Sequence, residues 1–290
     1  MNTRLLLRKA ILLLKLVRWP NLIIILVTQY FTAVFLSAPD EPWMKIISDP
    51  YLFLVVLGTV LTAAAGYIIN DYYDIKIDYL NKPDRVIVGK EFDRRIALAA
   101  HVIITFIAIL IGFLADWRIG LTNMAAAFLL WLYSNLLKRL PFLGNFCIAS
   151  LTALSIIIIT IYYQRLSWLV IGYGLFGFLI TLVREVLKDI EDLKGDQTFG
   201  CKTIPILWGI RKTKYFVLIL VVVFIGSFLS IILQFKILML YFYIVVLAIP
   251  FITFIWKLFI ADTRKEFSEL SRLAKILMVL GIGSMVFFKF

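Results

Sequence analysis

The 290-residue chain has little charge and few of the side chains that usually bind transition metals. Only 17% of its residues are Asp, Glu, Lys or Arg, and it has one histidine and two cysteines. Neither C-x-x-C nor H-x-x-H occurs, so a zinc or iron–sulfur centre has no support. The cysteines, Cys147 and Cys201, are far apart in sequence, and no disulfide is expected; the lone His101 is typical of a packed residue. This composition excludes a disordered chain, a disulfide scaffold and a soluble nucleic-acid-binding domain.

Apolar residues are abundant instead. They make up 62% of the chain, with a mean hydropathy of +0.97, whereas soluble domains are about 45–50% apolar. A helix needs about 20 mostly apolar residues to cross a bilayer, and continuous rather than alternating hydrophobicity favours helices over a barrel. The sequence therefore predicts an all-α polytopic membrane protein with nine spans: Trp19–Leu36, Tyr51–Asn70, Ile96–Ala115, Ile119–Leu137, Phe146–Tyr163, Trp168–Leu187, Tyr215–Leu233, Ile237–Trp256 and Leu273–Phe288.

The distribution of basic residues predicts how the chain crosses the membrane. The 30 Lys and Arg residues outnumber the 18 Asp and Glu residues, for a net charge of +12. Most of the basic residues lie in connections on the same side as the N-terminus. The positive-inside rule then predicts a cytoplasmic N-terminus and an external C-terminus. We expect an integral protein of a bacterial or archaeal cell membrane, with residues 1–290 forming a single transmembrane domain.

Acidic residues cluster at the predicted cytoplasmic ends of the second and sixth spans. Residues four apart lie on one face of a helix, so the pattern predicts two carboxylate stripes. The first contains Asn70, Asp74 and Asp78, and the second contains Glu185, Asp189, Asp192 and Asp196. The windows 70–78 and 188–196 share the pairs Asp71/Asp189, Asp74/Asp192, Lys76/Lys194 and Asp78/Asp196. This similarity suggests an internal pseudo-repeat of four helices, with both stripes at the cytoplasmic face.

Stacked carboxylates at a helix C-terminus repel one another, and the helix dipole adds to the repulsion. Mg²⁺ would relieve it, because Mg²⁺ prefers carboxylate, phosphate and water oxygens. Nearby loops carry basic residues that could hold an anion: Lys82, Arg85, Lys138 and Arg139. Carboxylates, metal and bases together indicate a diphosphate site facing the cytoplasm. The alternative from the residues alone is a set of solvated ion pairs.

The motifs in this order resemble the UbiA superfamily of intramembrane prenyltransferases. The first is similar to that family's N-D-x-x-D-x-x-x-D, here Asn70 to Asp78, and the second to its D-x-x-x-D, here Asp192 to Asp196. Between them, Tyr133-Ser134, Lys138-Arg139 and Gly144-Asn145 resemble a further signature. The resemblance covers essentially the whole chain.

The resemblance implies Mg²⁺-dependent transfer of a prenyl group from a polyprenyl diphosphate donor to a lipophilic acceptor, within membrane lipid and without nucleic acid or an obligate protein partner. It implies catalytic roles for Asp71, Asp74, Asp78, Asp192 and Asp196, and metal binding by Asn70, Asp74, Asp78, Asp192 and Asp196. The implied substrate-binding residues are Arg18, Asn21, Lys82, Arg85, Tyr133, Ser134, Lys138, Arg139, Lys188 and Asp189.

The acceptor is left open between two chemistries. The Asn-Asp start and the Lys-Asp-Ile-Glu-Asp run look most like the digeranylgeranylglyceryl phosphate synthase branch, which implies a glycerol ether phosphate acceptor. The alternative is an aromatic acceptor of quinone biosynthesis, of the 4-hydroxybenzoate or naphthoate type. Arg85-Val86 replaces the Arg-Pro of many members and blurs this assignment. From another class, a divalent-cation transporter would also use acidic stripes, but transport paths usually place ionisable groups near mid-membrane.

Overall fold

The structure is a computed structural model that describes residues 3–235 and 238–289. The side chains of residues 7–84, 86–231, 233–234 and 243–289 are described within it. The predicted start of the eighth span, Ile237, lies outside the described residues, and so does the side chain of Arg85. Among the described residues the only β pairing is an isolated bridge between Val88 and Phe92. The prediction of an all-α chain is confirmed.

The helices, in chain order, are α1 Thr3–Leu16, α2 Trp19–Phe31, α3 Trp43–Ile47, α4 Pro50–Asn81, α5 Arg94–Ala115, α6 Trp117–Asn135, α7 Leu143–Tyr163, α8 Trp168–Glu191, α9 Leu193–Thr198, α10 Ile204–Phe235, α11 Leu238–Ile260 and α12 Arg264–Gly283. A π-helical turn at Thr32–Ser37 extends α2, and a 3₁₀ turn at Ser284–Phe288 extends α12. Each of the nine predicted spans overlaps one of these helices, the first together with the π-helical turn that extends α2.

Within the described residues, eight helical segments are long and apolar enough to cross a membrane. The remaining predicted span corresponds to α6, which is 19 residues long and carries Arg118, Asn123 and Ser134. Its helical structure is confirmed, whereas the count of nine spans and the orientation of the termini stay predictions. The protein is an integral membrane protein by the length and composition of its helices.

The chain divides into two compact units. Unit 1 comprises Met1–Tyr30 and Ile47–Leu137, and unit 2 comprises Phe31–Ile46 and Lys138–Phe290. These units are a division by packing, and the single domain over residues 1–290 stays a prediction.

Unit 1 is built on α4, α5 and α6, which pack closely through small residues. Cβ atoms built at Gly58 and Gly112 would come within 2.6 and 2.7 Å of the Asn123 amide nitrogen, so glycine is what admits this side chain. Asn123 is buried and donates a hydrogen bond to the carbonyl of Ala108 at 3.2 Å. Small residues and buried amides of this kind are common where membrane helices meet. The lone histidine is buried here as well, as predicted for a packed residue: its Nδ1 lies 3.0 Å from the carbonyl oxygen of Ala65.

Unit 2 is organised around α8, which contacts α7, α10 and α12. Its core includes the fully buried Val183, Leu187 and Leu270. A polar contact crosses this apolar core, where the hydroxyls of Tyr173 and Ser284 lie 2.6 Å apart. A hydroxyl buried in apolar surroundings needs such a partner, because leaving it unbonded costs on the order of 2 kcal/mol. α8 therefore packs against three helices, and the second group of acidic residues lies at its end.

The second acidic stripe differs from its prediction. α8 ends at Glu191, and Asp192 has φ −98° and ψ 7°, outside the regular helical range. Asp196 therefore lies on the separate short helix α9. The expectation that Glu185 to Asp196 lie on one uninterrupted helix is wrong, because the backbone departs from helical geometry at Asp192. Asp196 nevertheless remains close enough to Asp189 to interact with it electrostatically, and the shared face of the four carboxylates stays a prediction.

Candidate active site

The first acidic motif lies on the last turns of α4. This helix runs 32 residues without a break, so Asn70, Asp74 and Asp78 share a face as predicted. Asp74 is close enough to interact electrostatically with both Asp71 and Asp78. Several half-buried carboxylates on neighbouring turns make this end of α4 strongly electronegative, which favours binding of a cation.

Arg18 is anchored to this motif inside unit 1. Its guanidinium donates to the Asp71 carboxylate at 2.9 Å, and the Arg18 side chain is 38% exposed while that of Asp71 is 16% exposed. Burial disfavours the charged guanidinium, but the Asp71 carboxylate more than offsets this and keeps the pKa of Arg18 above its usual range. The backbone at Arg18 has φ 52°, a left-handed turn that separates α1 from α2. The predicted site residue Arg18 is thus positioned by a turn and an ion pair together.

Tyr67 joins this cluster, although the sequence interpretation did not include it. The guanidinium carbon of Arg18 lies 4.9 Å from the centre of the Tyr67 ring, and the Asn21 amide donates to the Tyr67 hydroxyl at 3.1 Å. Arg18 and Asn21, both predicted from sequence, therefore meet at one aromatic side chain. Tyr67 is four residues before Asp71 on α4, so helical periodicity could have identified it.

The other predicted site residues of unit 1 lie beside this cluster or pack within their own helix. Lys82 caps α4, with its backbone N–H donating to the Asp78 carbonyl at 2.7 Å, and its side chain interacts electrostatically with the Asp78 carboxylate. Ser134 is fully buried and bonds the Leu130 carbonyl of its own helix at 2.8 Å, an arrangement typical of a packing role. Tyr133, its neighbour, is half-buried.

In unit 2, Asp189 is held by an amide rather than by an arginine. Asn145, near the start of α7, is buried and donates to Asp189 Oδ2 at 2.8 Å. The sequence interpretation mentioned Asn145 within a family signature but gave it no role in the site. The Asp189 carboxylate is thus oriented by a neutral donor, whereas Asp71 is paired with a cation.

Lys188 pairs with Glu185. Its ammonium donates to Glu185 Oε1 at 2.7 Å, and Arg184 donates to the same oxygen at 3.0 Å. The Glu185 side chain is only 9% exposed. The two cations offset the desolvation penalty of burying the Glu185 carboxylate. The predicted substrate residue Lys188 therefore also has a structural partner at the end of α8.

The remaining residues of unit 2 lie on short segments after helix ends. Asp192 Oδ1 is 3.7 Å from an Arg264 guanidinium nitrogen, a cation that the sequence interpretation missed. Lys138 and Arg139 lie on a 3₁₀ turn, Leu137–Arg139. The backbone N–H of Lys202 donates to the Arg139 carbonyl at 2.9 Å, which fixes this turn to the segment after α9.

The donor set suits Mg²⁺. Among the residues that the structure describes, no three acidic, histidine or cysteine side chains converge as a preformed metal site. The candidate donors are aspartate oxygens, the hard ligands that Mg²⁺ prefers, and Mg²⁺ is commonly held by one or two carboxylates with phosphate oxygens and waters supplying the rest. A convergent triad is therefore not required for this metal.

Comparisons with known proteins agree on one family. A family model described as the UbiA prenyltransferase family matches residues 25–278. A digeranylgeranylglyceryl phosphate synthase of Methanosphaera stadtmanae is 30% identical over 249 residues, which are 83% of this chain and 90% of the relative. Another of that name, from Saccharolobus solfataricus, is 33% identical over 259 residues, 86% of this chain and 90% of the relative.

A solved structure agrees in fold. A UbiA homolog from Archaeoglobus fulgidus, bound to GPP and Mg²⁺, superposes with a TM-score of 0.66 at 15% identity, covering 95% of this chain and 99% of that one. This likeness concerns the fold, whereas the family model matches most of the length of the sequence itself. From the arrangement of its acidic motifs, its helices and these matches, we conclude that the chain belongs to the UbiA prenyltransferase family.

Proposed function

We propose that this protein transfers a polyprenyl group from an allylic polyprenyl diphosphate to a glycerol ether phosphate, in a Mg²⁺-dependent reaction within the membrane. The observation that carries the proposal is the pair of aspartate clusters, one at the end of α4 and one around the α8–α9 junction. The donor class is supported by the Archaeoglobus fulgidus homolog, whose structure was solved with GPP and Mg²⁺.

The carboxylates would hold the donor through metal ions. Asn70, Asp74 and Asp78 are the proposed ligands on α4, with Asp192 and Asp196 the proposed ligands after α8. Bound Mg²⁺ would supply Lewis-acid stabilisation of the diphosphate as the allylic carbon–oxygen bond breaks. Asp71 is already engaged by Arg18 at 2.9 Å, so its proposed role is to fix Arg18 beside the metal-binding face.

The bases would stabilise the leaving diphosphate. Lys82 lies at the end of α4, and Lys138 and Arg139 lie on the turn held by Lys202. Cations placed before the reaction, where negative charge develops, stabilise the transition state by electrostatics. Arg85 keeps its sequence-based role as a further candidate, while its side chain is outside the described residues.

The acceptor proposal follows the named relatives. The relatives from Methanosphaera stadtmanae and Saccharolobus solfataricus are both named digeranylgeranylglyceryl phosphate synthase. These names favour a glycerol ether phosphate over the aromatic acceptors of quinone biosynthesis. Membership of a prenyltransferase family likewise favours an enzyme over a divalent-cation transporter. The archaeal relatives support a place in an archaeal cell membrane, with the active site on the cytoplasmic side as the basic loops predict.

Product analysis tests the reaction directly. The purified protein in proteoliposomes would be incubated with geranylgeranyl diphosphate and, in parallel, with geranylgeranylglyceryl phosphate, 4-hydroxybenzoate or a naphthoate, followed by mass spectrometry. We expect the doubly prenylated glycerol phosphate with Mg²⁺ and none after chelation by EDTA, restored on adding Mg²⁺. Product with only an aromatic acceptor would move the assignment to quinone biosynthesis. The absence of any product with all donors and acceptors, or turnover unaffected by EDTA, would contradict the proposal.

A further inference from the structure

The N-terminal helix α1 has an exposed surface that the proposed reaction does not use. It spans Thr3–Leu16 and contains Arg4, Arg8, Lys9 and Lys15 but no acidic residue. Leu7, Ile11 and Leu14 recur at helical spacing on one side and are 64%, 46% and 51% exposed. Arg8 and Lys15, seven residues apart, form a basic stripe along the border of that apolar side. A helix with this division of residues is amphipathic and leaves its apolar side without a protein partner in the described structure.

Two contacts hold α1 against the rest of unit 1. Near the end of the helix, Leu16 is buried in a cluster with Ile68, Val88 and Ala97. Near its middle, one guanidinium nitrogen of Arg8 donates to both oxygens of the Glu91 carboxylate, at 2.9 and 3.0 Å. These contacts place one side of α1 along the connection between α4 and α5. They do not cover the apolar side that carries Leu7 and Leu14.

The position of α1 in the chain places it at the membrane boundary. It ends at Leu16, and the first apolar span begins at Trp19, with the left-handed turn at Arg18 between them. Trp19 is 47% exposed and is a residue type enriched at the membrane–water interface. With 14 residues, α1 is about 21 Å long and too short to cross a bilayer core of about 30 Å.

We propose that α1 is an in-plane helix that binds the surface of the lipid leaflet, with Leu7, Ile11 and Leu14 among the acyl chains and the exposed Lys9 and Lys15 on anionic lipid headgroups. The charge is complementary, because every charged residue of α1 is basic and anionic headgroups attract such segments. The leaflet is favoured over a second copy or a soluble partner because the adjoining span fixes the end of α1 at the bilayer surface.

Site-directed spin labelling of the full-length protein tests this placement without requiring turnover. Leu14→Cys and Lys15→Cys, adjacent residues on the apolar side and the basic stripe, would be labelled in vesicles of phosphatidylcholine and phosphatidylglycerol in equal parts. Collisions with oxygen, which concentrates in acyl chains, would be compared with collisions with a water-soluble nickel chelate. Phe106→Cys, 63% exposed on the α5 span, is the lipid reference, and Lys90→Cys, exposed after α4, is the water reference. The unsubstituted protein controls for labelling of Cys147 and Cys201, which are buried.

We expect the oxygen-to-nickel ratio at Leu14→Cys to approach that of Phe106→Cys and to exceed that of Lys15→Cys roughly tenfold, since the two faces would lie in different phases. Equal, water-like ratios at both positions would overturn the proposal. Spin–spin broadening at Leu14→Cys that disappears on dilution with unlabelled protein would also overturn it, because a second copy would then cover the face.

A separate experiment tests whether α1 binds anionic headgroups. Lys9→Gln with Lys15→Gln would be added to Leu14→Cys, and vesicles of phosphatidylcholine alone would be compared with the mixed vesicles. We expect the parent Leu14→Cys ratio to fall in phosphatidylcholine alone, and the charge-depleted variant to have the same low ratio in both vesicles. The matched control, Lys90→Gln with Lys265→Gln, removes the same charge outside α1 and should respond to lipid like the parent. A parent ratio that is independent of lipid charge would contradict binding to anionic headgroups.

Discussion

The two acidic motifs have similar sequences but different backbones. On α4 the helix continues through Asp71, Asp74 and Asp78 to Asn81. On α8 it ends at Glu191, so that Asp192 and Asp196 fall at a break and on a short helix. Shared aspartates at matching positions therefore do not impose a shared local structure.

One position of the aligned windows differs in how much side chain it packs. Ile77, on α4, is buried. Its counterpart is Gly195, which has no side chain to pack and costs about 1 kcal/mol more than alanine in a helix. Apolar packing supports α4 past Asp74, whereas Gly195 offers no such packing to α9, which is only six residues long. The lesson is that the residues between the aspartates decide how the carboxylates are presented.

The partners of the first aspartate in each window differ as well. Asp71 is paired with the cationic Arg18, and Asp189 is bonded by the neutral amide of Asn145. The two motifs therefore differ in the partner that orients this aspartate as well as in backbone.

The largest effect is expected from removing one metal-binding carboxylate in each motif. Asp74→Asn and Asp192→Asn should each lower kcat about a thousandfold, because the amide is isosteric but neutral. Initial rates of product formation across a Mg²⁺ titration would measure this, and the thermal unfolding temperature would check folding. Asp262→Asn, an exposed aspartate after α11, is the matched control and should retain normal rates. If only one of the two motif variants lost activity, the motifs would not be functionally equivalent.

Transferring the glycine of the second motif to the first tests the backbone comparison. Ile77→Gly should destabilise unit 1 by about 3–5 kcal/mol, through lost burial and the helix cost of glycine. Hydrogen exchange followed by mass spectrometry should show faster exchange over residues 75–81. Ile77→Leu keeps the volume and should cost less than about 1.5 kcal/mol. Unchanged protection of this segment in the glycine variant would remove Ile77 as the cause of the longer helix.

Removing Arg18, the charged partner of Asp71, should lower the stability more than removing Asn145, the neutral partner of Asp189. Arg18→Met should destabilise the fold by about 1–2 kcal/mol, less than for a fully buried pair because Arg18 is 38% exposed. Unfolding in detergent of Arg18→Met, Asp71→Asn and the double variant forms a double-mutant cycle. A coupling energy of about 1 kcal/mol is expected, and strict additivity would mean that the ion pair contributes nothing to stability.

The neutral contact should give the smallest effect. Asn145→Ala removes the amide donor to Asp189 and should cost about 1 kcal/mol, close to the net value of one hydrogen bond. The same unfolding measurement applies, with Asn135→Ala, an exposed asparagine that ends α6, as the control at about zero. If Asn145→Ala lowered the free energy of unfolding as much as Arg18→Met, the neutral and the charged partner would contribute equally to stability.

Much of the fold was predictable because hydrophobic length is a local property. Runs of about 20 apolar residues became helices at the predicted places, and only the break at Asp192 contradicted the helical spacing. Helix ends were less predictable: α4 extends to Asn81, beyond the predicted span end at Asn70. Charged residues stop a hydrophobic run without stopping a helix, so the acidic motif stayed helical.

The site was predictable as a list of residue types but not as a set of partners. Asn21 and Arg18 were expected near the motif, yet their meeting at Tyr67 depends on the packing of α2 against α4. Asn145 and Arg264 come from helices remote in sequence from Asp189 and Asp192. Such contacts span 44 residues in the first case, and no local pattern encodes them.

By itself, the sequence determined that this chain is a helical membrane protein with two aspartate motifs, since hydropathy and residue spacing act over one or two helical turns. The tertiary structure alone decided which cation or amide each aspartate meets, where α8 breaks, and that one side of α1 packs on the α4–α5 connection. These outcomes depend on side chains brought together from distant segments, because packing and ion pairing act through space.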